Sequence, residues 1–482
     1  MNGLVLALKT VDLARIQFAM TSIYHFLFVP LTLGLAPIVA GMQTMWHRTK
    51  EEQWLRLTRF FGTLMLINFA VGVVTGLVQE FEFGMNWSVY SKYVGDVFGA
   101  PLAMEGLAAF FLESAFLGLW IFGWGRLKPK VHLATIWLVA GGTYLSAYFI
   151  LVANSWMQHP VGYRLVHGKA ELTSVGALLG NNFAIRAFVH TSLVGLTTGA
   201  MLVLGVACWH LLRGRNTELF RRAAAVALIV AVPATFVNLL VGSEFGVVTE
   251  KDQPMKIAAA EALWNTEQPA SFSLFQIGGF SAANPTPSFQ IAIPGMLSFL
   301  ATNSFHAAVP GLNQLQAKAQ AEHGPGTYTP PVEAVYWSMR VMAYLGGLMF
   351  LIAALGAWLY RRGRLESSRW FLRTAIAAIA FPFIAATAGW VLTEVGRQPW
   401  IVQSLLKTAE ANSPNVSSAM LAITIAGFAL LYVVLGVVDF VLMRRYARVD
   451  PPEIEAGAGE AGGGTGGGGA EPAGGGALVL SY

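Results

Sequence analysis

The chain has 482 residues, of which 55% are hydrophobic and only 12% are charged. Charged residues make up roughly a quarter of a soluble globular protein, so this composition excludes that class and indicates a polytopic membrane protein. The net charge of +5 comes from basic residues in short segments beside apolar stretches, which argues against nucleic-acid binding, and the single cysteine excludes a disulfide framework within the chain.

Nine apolar stretches are long enough to cross a bilayer, and they predict an all-α membrane protein with nine transmembrane helices. They cover about residues 17–45, 59–79, 101–123, 132–156, 187–211, 223–247, 335–360, 370–394 and 417–443. The short connections after the odd-numbered stretches hold 19 of the 31 Lys and Arg residues. Because basic connections tend to stay inside, we expect the N-terminus outside and the C-terminus inside.

These stretches divide the chain into four parts. Helices one to six occupy residues 1–248, a large external connection follows over 249–332, helices seven to nine occupy 333–446, and a tail covers 447–482. Two segments of the connection, MKIAAAEALW and LNQLQAKAQAEH, have the pattern of short amphipathic helices, so we expect partial order there. The Gly-rich tail cannot bury a core and is expected to be disordered.

The third stretch carries two glutamates, Glu105 and Glu113. Burial of a carboxylate in hydrocarbon costs several kcal/mol, so such an acid normally faces a bundle interior, a cofactor or a proton path. In an ideal α-helix Glu113 would lie about 12 Å deeper than Glu105 and roughly 80° around the axis, which suits two stations of a proton relay. Alternatively, each acid is neutral or paired with Arg or His and holds helices in register; this stretch alone leaves both readings open.

Five candidate ligands or proton carriers from five different stretches fall at similar depth in the outer half of the predicted bundle. They are His25, Glu105, His190, Met342 and Glu394. Haem takes imidazole and thioether ligands from facing helices and needs an apolar wall, so this set favours a haem-binding bundle. Taken singly, each has an ordinary explanation, such as packing for Met342 or a salt bridge between Glu394 and Arg397.

In the external connection, Lys256 and Glu261 lie five residues apart in KIAAAE. One interpretation is a quinol site at the membrane surface, where a carboxylate accepts a hydroxyl proton and a cation steadies the developing oxyanion. The alternative is a solvated amphipathic helix that presents the two side chains on different faces.

The motifs around these residues resemble the larger, haem-bearing subunit I of cytochrome bd-type quinol oxidases, in the branch with a short external loop. The resemblance covers nearly the whole membrane domain. Its main motifs are YHFLFVPLTLG (24–34), VGDVFGAPLAMEGLAAFFLES (94–114), LVANSWMQHPVG (151–162), FVHT (188–191), RVMAYLGG (340–347) and AGWVLTEVGRQPW (388–400).

The resemblance implies three haems, two of b type and one of d type. His190 and Met342 match the axial ligands of the low-spin b haem, and Arg340 matches a residue that tunes it. His25 and Glu394 match the ligands of the high-spin b haem and haem d, and the resemblance leaves open which residue serves which haem.

The remaining roles also follow from the resemblance. Glu105 matches an acid beside the oxygen-reducing haem, and Glu113 a deeper acid on the proton route. Trp390 matches an aromatic residue between haems. Lys256 and Glu261 match the quinol-handling residues of the external Q-loop.

The implied function is that of a terminal respiratory oxidase in the bacterial cell membrane. Quinol would be oxidised at the outer face, and electrons would pass through the low-spin haem to a two-haem centre that reduces O2 to water with protons from inside. The implied partners are a second multi-span subunit, small single-span subunits and membrane lipid, with no nucleic acid. Two alternatives stay open: a membrane cytochrome b that does not bind O2, and a cofactor-free proton or solute transporter.

Overall fold

A computed structural model describes residues 9–451 of the chain. Within that range, nine helical runs are long and apolar enough to cross a membrane, which confirms the predicted all-α membrane class. Which side of the membrane each end faces stays a prediction. The helices are α1 (Thr10–Thr49), α2 (Glu52–Met85), α3 (Ser88–Met104), α4 (Phe111–Phe122), α5 (Pro129–Gln158), α6 (Val175–Leu179), α7 (Asn182–Leu212), α8 (Thr217–Asp252), α9 (Pro254–Ala260), α10 (Met296–Thr302), α11 (Leu312–His323), α12 (Val332–Arg361), α13 (Arg369–Ala377), α14 (Phe381–Val395) and α15 (Ser418–Tyr446).

Several helices extend well past the apolar stretches that predicted them. The third run begins at Ser88 instead of near residue 101, because α3 continues through Pro101. A π-helical turn over Glu105–Phe110 then joins α3 to α4. Proline and an inserted residue are the usual causes of a local change of direction in a long helix, so this run is irregular just where its first glutamate lies.

The backbones of α1 and α7 approach each other closely at three glycines. A Cβ atom on Gly199 of α7 would lie 2.5 Å from the carbonyl carbon of Gly34 on α1, and one on Gly195 would lie 2.6 Å from the Cβ atom of Leu33. Small residues allow such close packing in membranes, where apolar burial gives little drive for helix association. This contact fixes α1, which carries His25, against α7, which carries His190.

The connections at one end of the bundle are folded onto the helices. We call this end, where the chain between α8 and α12 lies, the loop end. Among residues 9–451, three antiparallel hairpins lie at this end, formed by β1 (Tyr163–Val166) with β2 (Lys169–Leu172), β3 (Phe272–Gly278) with β4 (Pro287–Ile293), and β5 (Trp400–Val402) with β6 (Leu406–Lys407). The sequence indicated none of these hairpins, because each is short and lies in a polar connection.

The connection predicted to be partly ordered contains α9, β3, β4, α10 and α11. Helix α11 covers the same residues as the predicted segment LNQLQAKAQAEH, whereas α9 ends at Ala260, four residues before the end of the other predicted segment. Its buried residues Ala258, Trp264 and Leu312 pack against Val335 and Tyr336 at the start of α12. The predicted disorder of the Gly-rich tail concerns residues that lie outside the described range, apart from 447–451.

Candidate functional site

The carboxylate of Glu394 lies near the loop end of α14 and is held by three donors. Asn154 donates to Oε1 over 2.8 Å, and Gln158 approaches the same oxygen at 3.5 Å. Arg397 forms an ion pair with Oε2, as the ordinary explanation of Glu394 predicts. Asn154 lies one turn before the end of α5, so α5 supplies two of the three donors. Two helices, α5 and α14, therefore position this acid.

Lys256 is buried at the loop end and not solvated. Its Nζ donates to Gln158 Oε1 over 2.7 Å, and its side chain is only 5% exposed. Its aliphatic stem lies over Gly396, where a Cβ atom would be 2.8 Å from Lys256 Cγ. Burial, together with the nearby Arg397 guanidinium, lowers the pKa of Lys256 to about 7.

Glu261 is buried in an ion pair with Arg340 of α12. The Oε2 to Nη2 distance is 2.8 Å, and the two side chains are only 1–2% exposed. Arg340 also donates to the carbonyl oxygens of Ser273 and Ala260, and the Ser273 N–H donates to Glu261. Burial raises the pKa of Glu261, and the charge of Arg340 opposes that rise.

The solvated-helix interpretation of Lys256 and Glu261 is therefore wrong. Their different faces, however, are as the spacing predicted: Lys256 points towards α5 and towards Gly396, just after α14, and Glu261 points towards α12. The reason is that α9 lies on the bundle instead of floating above it, so both faces find partners.

His190 and Met342 each lie beside a glycine of a neighbouring helix. A Cβ atom on Gly242 of α8 would touch the His190 ring at 3.6 Å, and one on Gly389 of α14 would lie 2.8 Å from Met342 Sδ. The Nδ1 atom of His190 is buried and has no hydrogen-bond partner among residues 9–451. A buried imidazole nitrogen without a partner is costly, and iron coordination is one way to satisfy it.

His25 is oriented by α2. Its Nδ1 forms a 2.9 Å hydrogen bond with Thr75 Oγ1, and Gly76 leaves room for the ring, since a Cβ atom there would be 3.0 Å from His25 Cε1. A hydrogen bond at one ring nitrogen is the usual way to orient a histidine whose other nitrogen binds a metal. The next residue, Phe26, stacks on Trp390 of α14 with ring centroids 5.1 Å apart. The candidate residues on α1 and α14 thus lie in contacting helices.

Glu105 and Glu113 both face α5. Ser146 donates to Glu105 over 2.7 Å, and Thr143 donates to Glu113 over 2.5 Å. Thr143 and Ser146 are three residues apart, so they share one face of α5. The 80° separation expected for an ideal helix is wrong, because the π-helical turn adds about one residue, or about 100°, and leaves the two acids roughly 20° apart.

Several buried polar residues, among them Gln158 and Glu82, were not identified from the sequence. Gln158 is fully buried between Lys256 and Glu394, and Glu82 is fully buried at the loop end of α2. Glu82 accepts hydrogen bonds from Gln17 over 2.6 Å and from Asn86 over 3.0 Å. The available signal was a polar residue at the end of an apolar stretch, which is common and therefore weak.

Comparison with known proteins gives the family. The family model "Cytochrome bd terminal oxidase subunit I" matches residues 13–451. This chain belongs to that family. It is therefore a membrane-embedded subunit I of a terminal oxidase and works in a complex with a second subunit, which confirms the resemblance in its motifs.

Individual relatives and one solved structure agree with this assignment. The chain is 47% identical over 425 residues to cytochrome bd ubiquinol oxidase subunit 1 of Bacillus subtilis (strain 168), covering 88% of this chain and 90% of the relative. It is 37% identical over 504 residues to cytochrome bd-II ubiquinol oxidase subunit 1 of Escherichia coli (strain K12), covering 92% and 98%. The bd oxidase structure from Geobacillus thermodenitrificans matches with a TM-score of 0.84 at 30% identity, covering 92% of this chain and 99% of that one.

Proposed function

We propose that this chain is the haem-bearing subunit of a quinol oxidase of the bacterial cell membrane, which oxidises quinol at the loop end and reduces O2 to water. One observation carries the proposal within the family assignment. Lys256 is buried against α5 and against Gly396 at the end of α14, and Glu261 is buried against α12. Helix α14 carries the candidate ligand Glu394, and α12 carries the candidate ligand Met342. The family assignment favours this function over a non-oxygen-binding cytochrome b or a cofactor-free transporter.

The donor set fits haem. His190 offers a buried nitrogen with no protein partner within the described range, and Gly389 lets the Met342 sulfur lie against α14. We assign these two residues to a low-spin b haem, and His25 and Glu394 to a high-spin b haem and haem d without distinguishing between them. When bound, the haems supply the electron carriers and the iron at which O2 is reduced.

Around these ligands, other side chains adjust charge and position. Arg340 lies two residues before Met342 on α12, and its guanidinium forms the buried ion pair with Glu261. In this proposal the charge of Arg340 tunes the low-spin haem. Trp390, stacked on Phe26, fills the space between α1 and α14 with an aromatic wall.

Glu261 and Lys256 carry out the proton chemistry of quinol oxidation in this proposal. The Glu261 carboxylate accepts a hydroxyl proton, and its ion pair with Arg340 holds it in place until it does so. The Lys256 ammonium, with a pKa of about 7, stabilises the developing oxyanion at and below that pH. Because these residues lie at the loop end, the quinol protons are released on that side.

Glu113 and Glu105 supply the protons for water. They lie roughly 20° apart on one face, and each accepts a hydroxyl hydrogen bond from α5, so they suit successive stations along that helix. If these protons come from the inside, the reaction generates a proton gradient. Subunit II completes the walls and the inner part of the path, with small single-span subunits and lipid at the periphery.

A reduced-minus-oxidised absorption spectrum of the purified complex, followed by CO addition, tests the proposal. We expect a chlorin-type band in the red that shifts with CO. A b-type spectrum insensitive to CO would contradict O2 reduction and support the electron-transfer alternative. A colourless protein would contradict haem binding and support the alternative in which Glu105 and Glu113 serve a cofactor-free transporter.

A further inference from the structure

Gln158, the last residue of α5, lies between Lys256 of the loop and Glu394 of α14. Its side chain is fully buried. Its Oε1 accepts from Lys256 Nζ over 2.7 Å, and its Nε2 points at Glu394 Oε1 over 3.5 Å. A single amide group therefore contacts both a loop cation and a candidate haem ligand.

The chemistry of its neighbours allows the amide only one orientation. An ammonium group has hydrogens to donate and no acceptor, whereas a carboxylate only accepts. The oxygen of Gln158 must therefore face Lys256, and its NH2 group must face Glu394. A flipped amide would place a donor against a donor and an acceptor against an acceptor, which is costly in a buried site.

Gln253, at the end of α8, holds Gln158 in this orientation. Its Nε2 donates to the Gln158 carbonyl oxygen over 2.7 Å and to Gln158 Oε1 over 3.0 Å. Because Gln253 is itself only 2% exposed, this contact is shielded from water. The oxygen of Gln158 thus accepts from two donors, Gln253 and Lys256. If the Lys256 donor is lost, only Gln253 holds the oxygen, and the amide can shift relative to Glu394.

We propose that Gln158 is a positioning residue that couples Lys256 of the loop to Glu394. Its amide orients the ammonium and the carboxylate together, so a change at the loop on quinol binding alters the hydrogen bond that Glu394 receives. The inference rests on the proposed function, since it takes Lys256 as a quinol residue and Glu394 as a haem ligand.

Two substitutions separate the two contacts in the purified oxidase complex. Gln158→Glu keeps an acceptor for Lys256 but loses the donor to Glu394, and Gln158→Met keeps the length of the side chain but loses both. Gln43→Met is the matched control, because Gln43 is also fully buried but bonds Trp120 and His132 at the opposite end of the bundle. The readouts are the quinol KM and kcat, and the visible spectrum of the dithionite-reduced complex without quinol.

We expect Gln158→Met to raise the quinol KM about tenfold, the effect of one lost hydrogen bond to a charged group, and to shift the band of the haem held by Glu394. Gln158→Glu should shift the same band and leave the KM within about twofold of the parent value, since Lys256 keeps its acceptor. Gln43→Met should change neither quantity. If both Gln158 variants have the parent spectrum, or if Gln158→Met has the parent KM, Gln158 does not act on both residues and the inference is overturned.

A double-variant cycle separates coupling from two independent effects. If Gln158 transmits the loop contact, the spectral shifts of Lys256→Met and Gln158→Met are not additive in the double variant. Additive shifts overturn the coupling while leaving the proposed function in place. A parent quinol KM in Lys256→Met, by contrast, refutes the proposed role of Lys256 and the inference with it.

Discussion

Replacement of Gly389 by alanine tests whether Met342 is a haem ligand without altering Met342 itself. A Cβ atom on Gly389 would lie 2.8 Å from Met342 Sδ. Non-bonded atoms of this size need about 3.7 Å, so the sulfur has to move by about 0.9 Å. Because methionine is unbranched and adapts its rotamers, we expect a loss of about 1 kcal/mol or less in the free energy of unfolding.

A metal–ligand bond tolerates much less displacement than protein packing does. Ligand distances are typically kept within about 0.2 Å, so a displacement of about 0.9 Å is more than four times that tolerance. We therefore expect Gly389→Ala to weaken or abolish the low-spin haem band in the reduced-minus-oxidised spectrum, as Met342→Leu should, while CO binding at the other centre is retained.

Gly347→Ala is the matched control for this experiment. Gly347 lies on α12 like Met342, but a Cβ atom there would meet no atom of the described residues within 4 Å. The control should keep the parent spectrum. A low-spin band that survives unchanged in Gly389→Ala but disappears in Met342→Leu would refute the reasoning, because the sulfur would not be confined by Gly389. A band unchanged in both would remove Met342 as a ligand.

Three further predictions concern the residues proposed to handle protons. The pKa of Lys256 is about 7, so its charged form is lost as the pH rises above that value. We therefore expect kcat/KM for quinol to fall up to about tenfold per pH unit above pH 7, and Lys256→Met to lack this decline in its pH profile. Glu261→Ala leaves Arg340 as a buried charge without its carboxylate partner, so it should destabilise the fold by about 3–5 kcal/mol and slow quinol turnover. Stopped-flow oxidation of the pre-reduced protein by O2 should be unchanged. Equal loss of both reactions would contradict the role of Glu261 in quinol oxidation. Glu113→Gln should slow turnover at least about a hundredfold with retained haem spectra, and parent turnover would exclude Glu113 from the proton route.

Depth along the membrane could be read from the sequence, because helix rise is nearly constant and span ends are marked by basic residues. The nine helical runs of the described chain follow from the apolar pattern of the sequence, whereas the common depth of the candidate residues stays a prediction. Direction around a helix could not be read in the same way. The Gly389 contact with Met342 and the Gly76 contact with His25 depend on how helices distant in sequence face each other, and a lone glycine in an apolar stretch does not reveal its partner.

The burial of Lys256 and Glu261 shows the same limit in the connection. A segment such as KIAAAE is compatible with a solvated helix or with a buried one, since its alanines suit either. The buried side chains of Lys256 and Glu261 find their hydrogen-bond partners in Gln158 and Arg340, which lie 98 and 79 residues away along the chain. Only the assembled loop end brings these donors and acceptors together.

The π-helical turn at Glu105–Phe110 is a local irregularity that changes which way the following side chains face. One additional residue in the turn rotates everything after it by about 100°, which moves Glu113 from a different face to nearly the same face as Glu105. In an ideal helix the two acids would lie roughly 80° apart around the axis. In this structure both acids accept hydrogen bonds from α5, from Ser146 and Thr143, as the proposed relay along that helix requires.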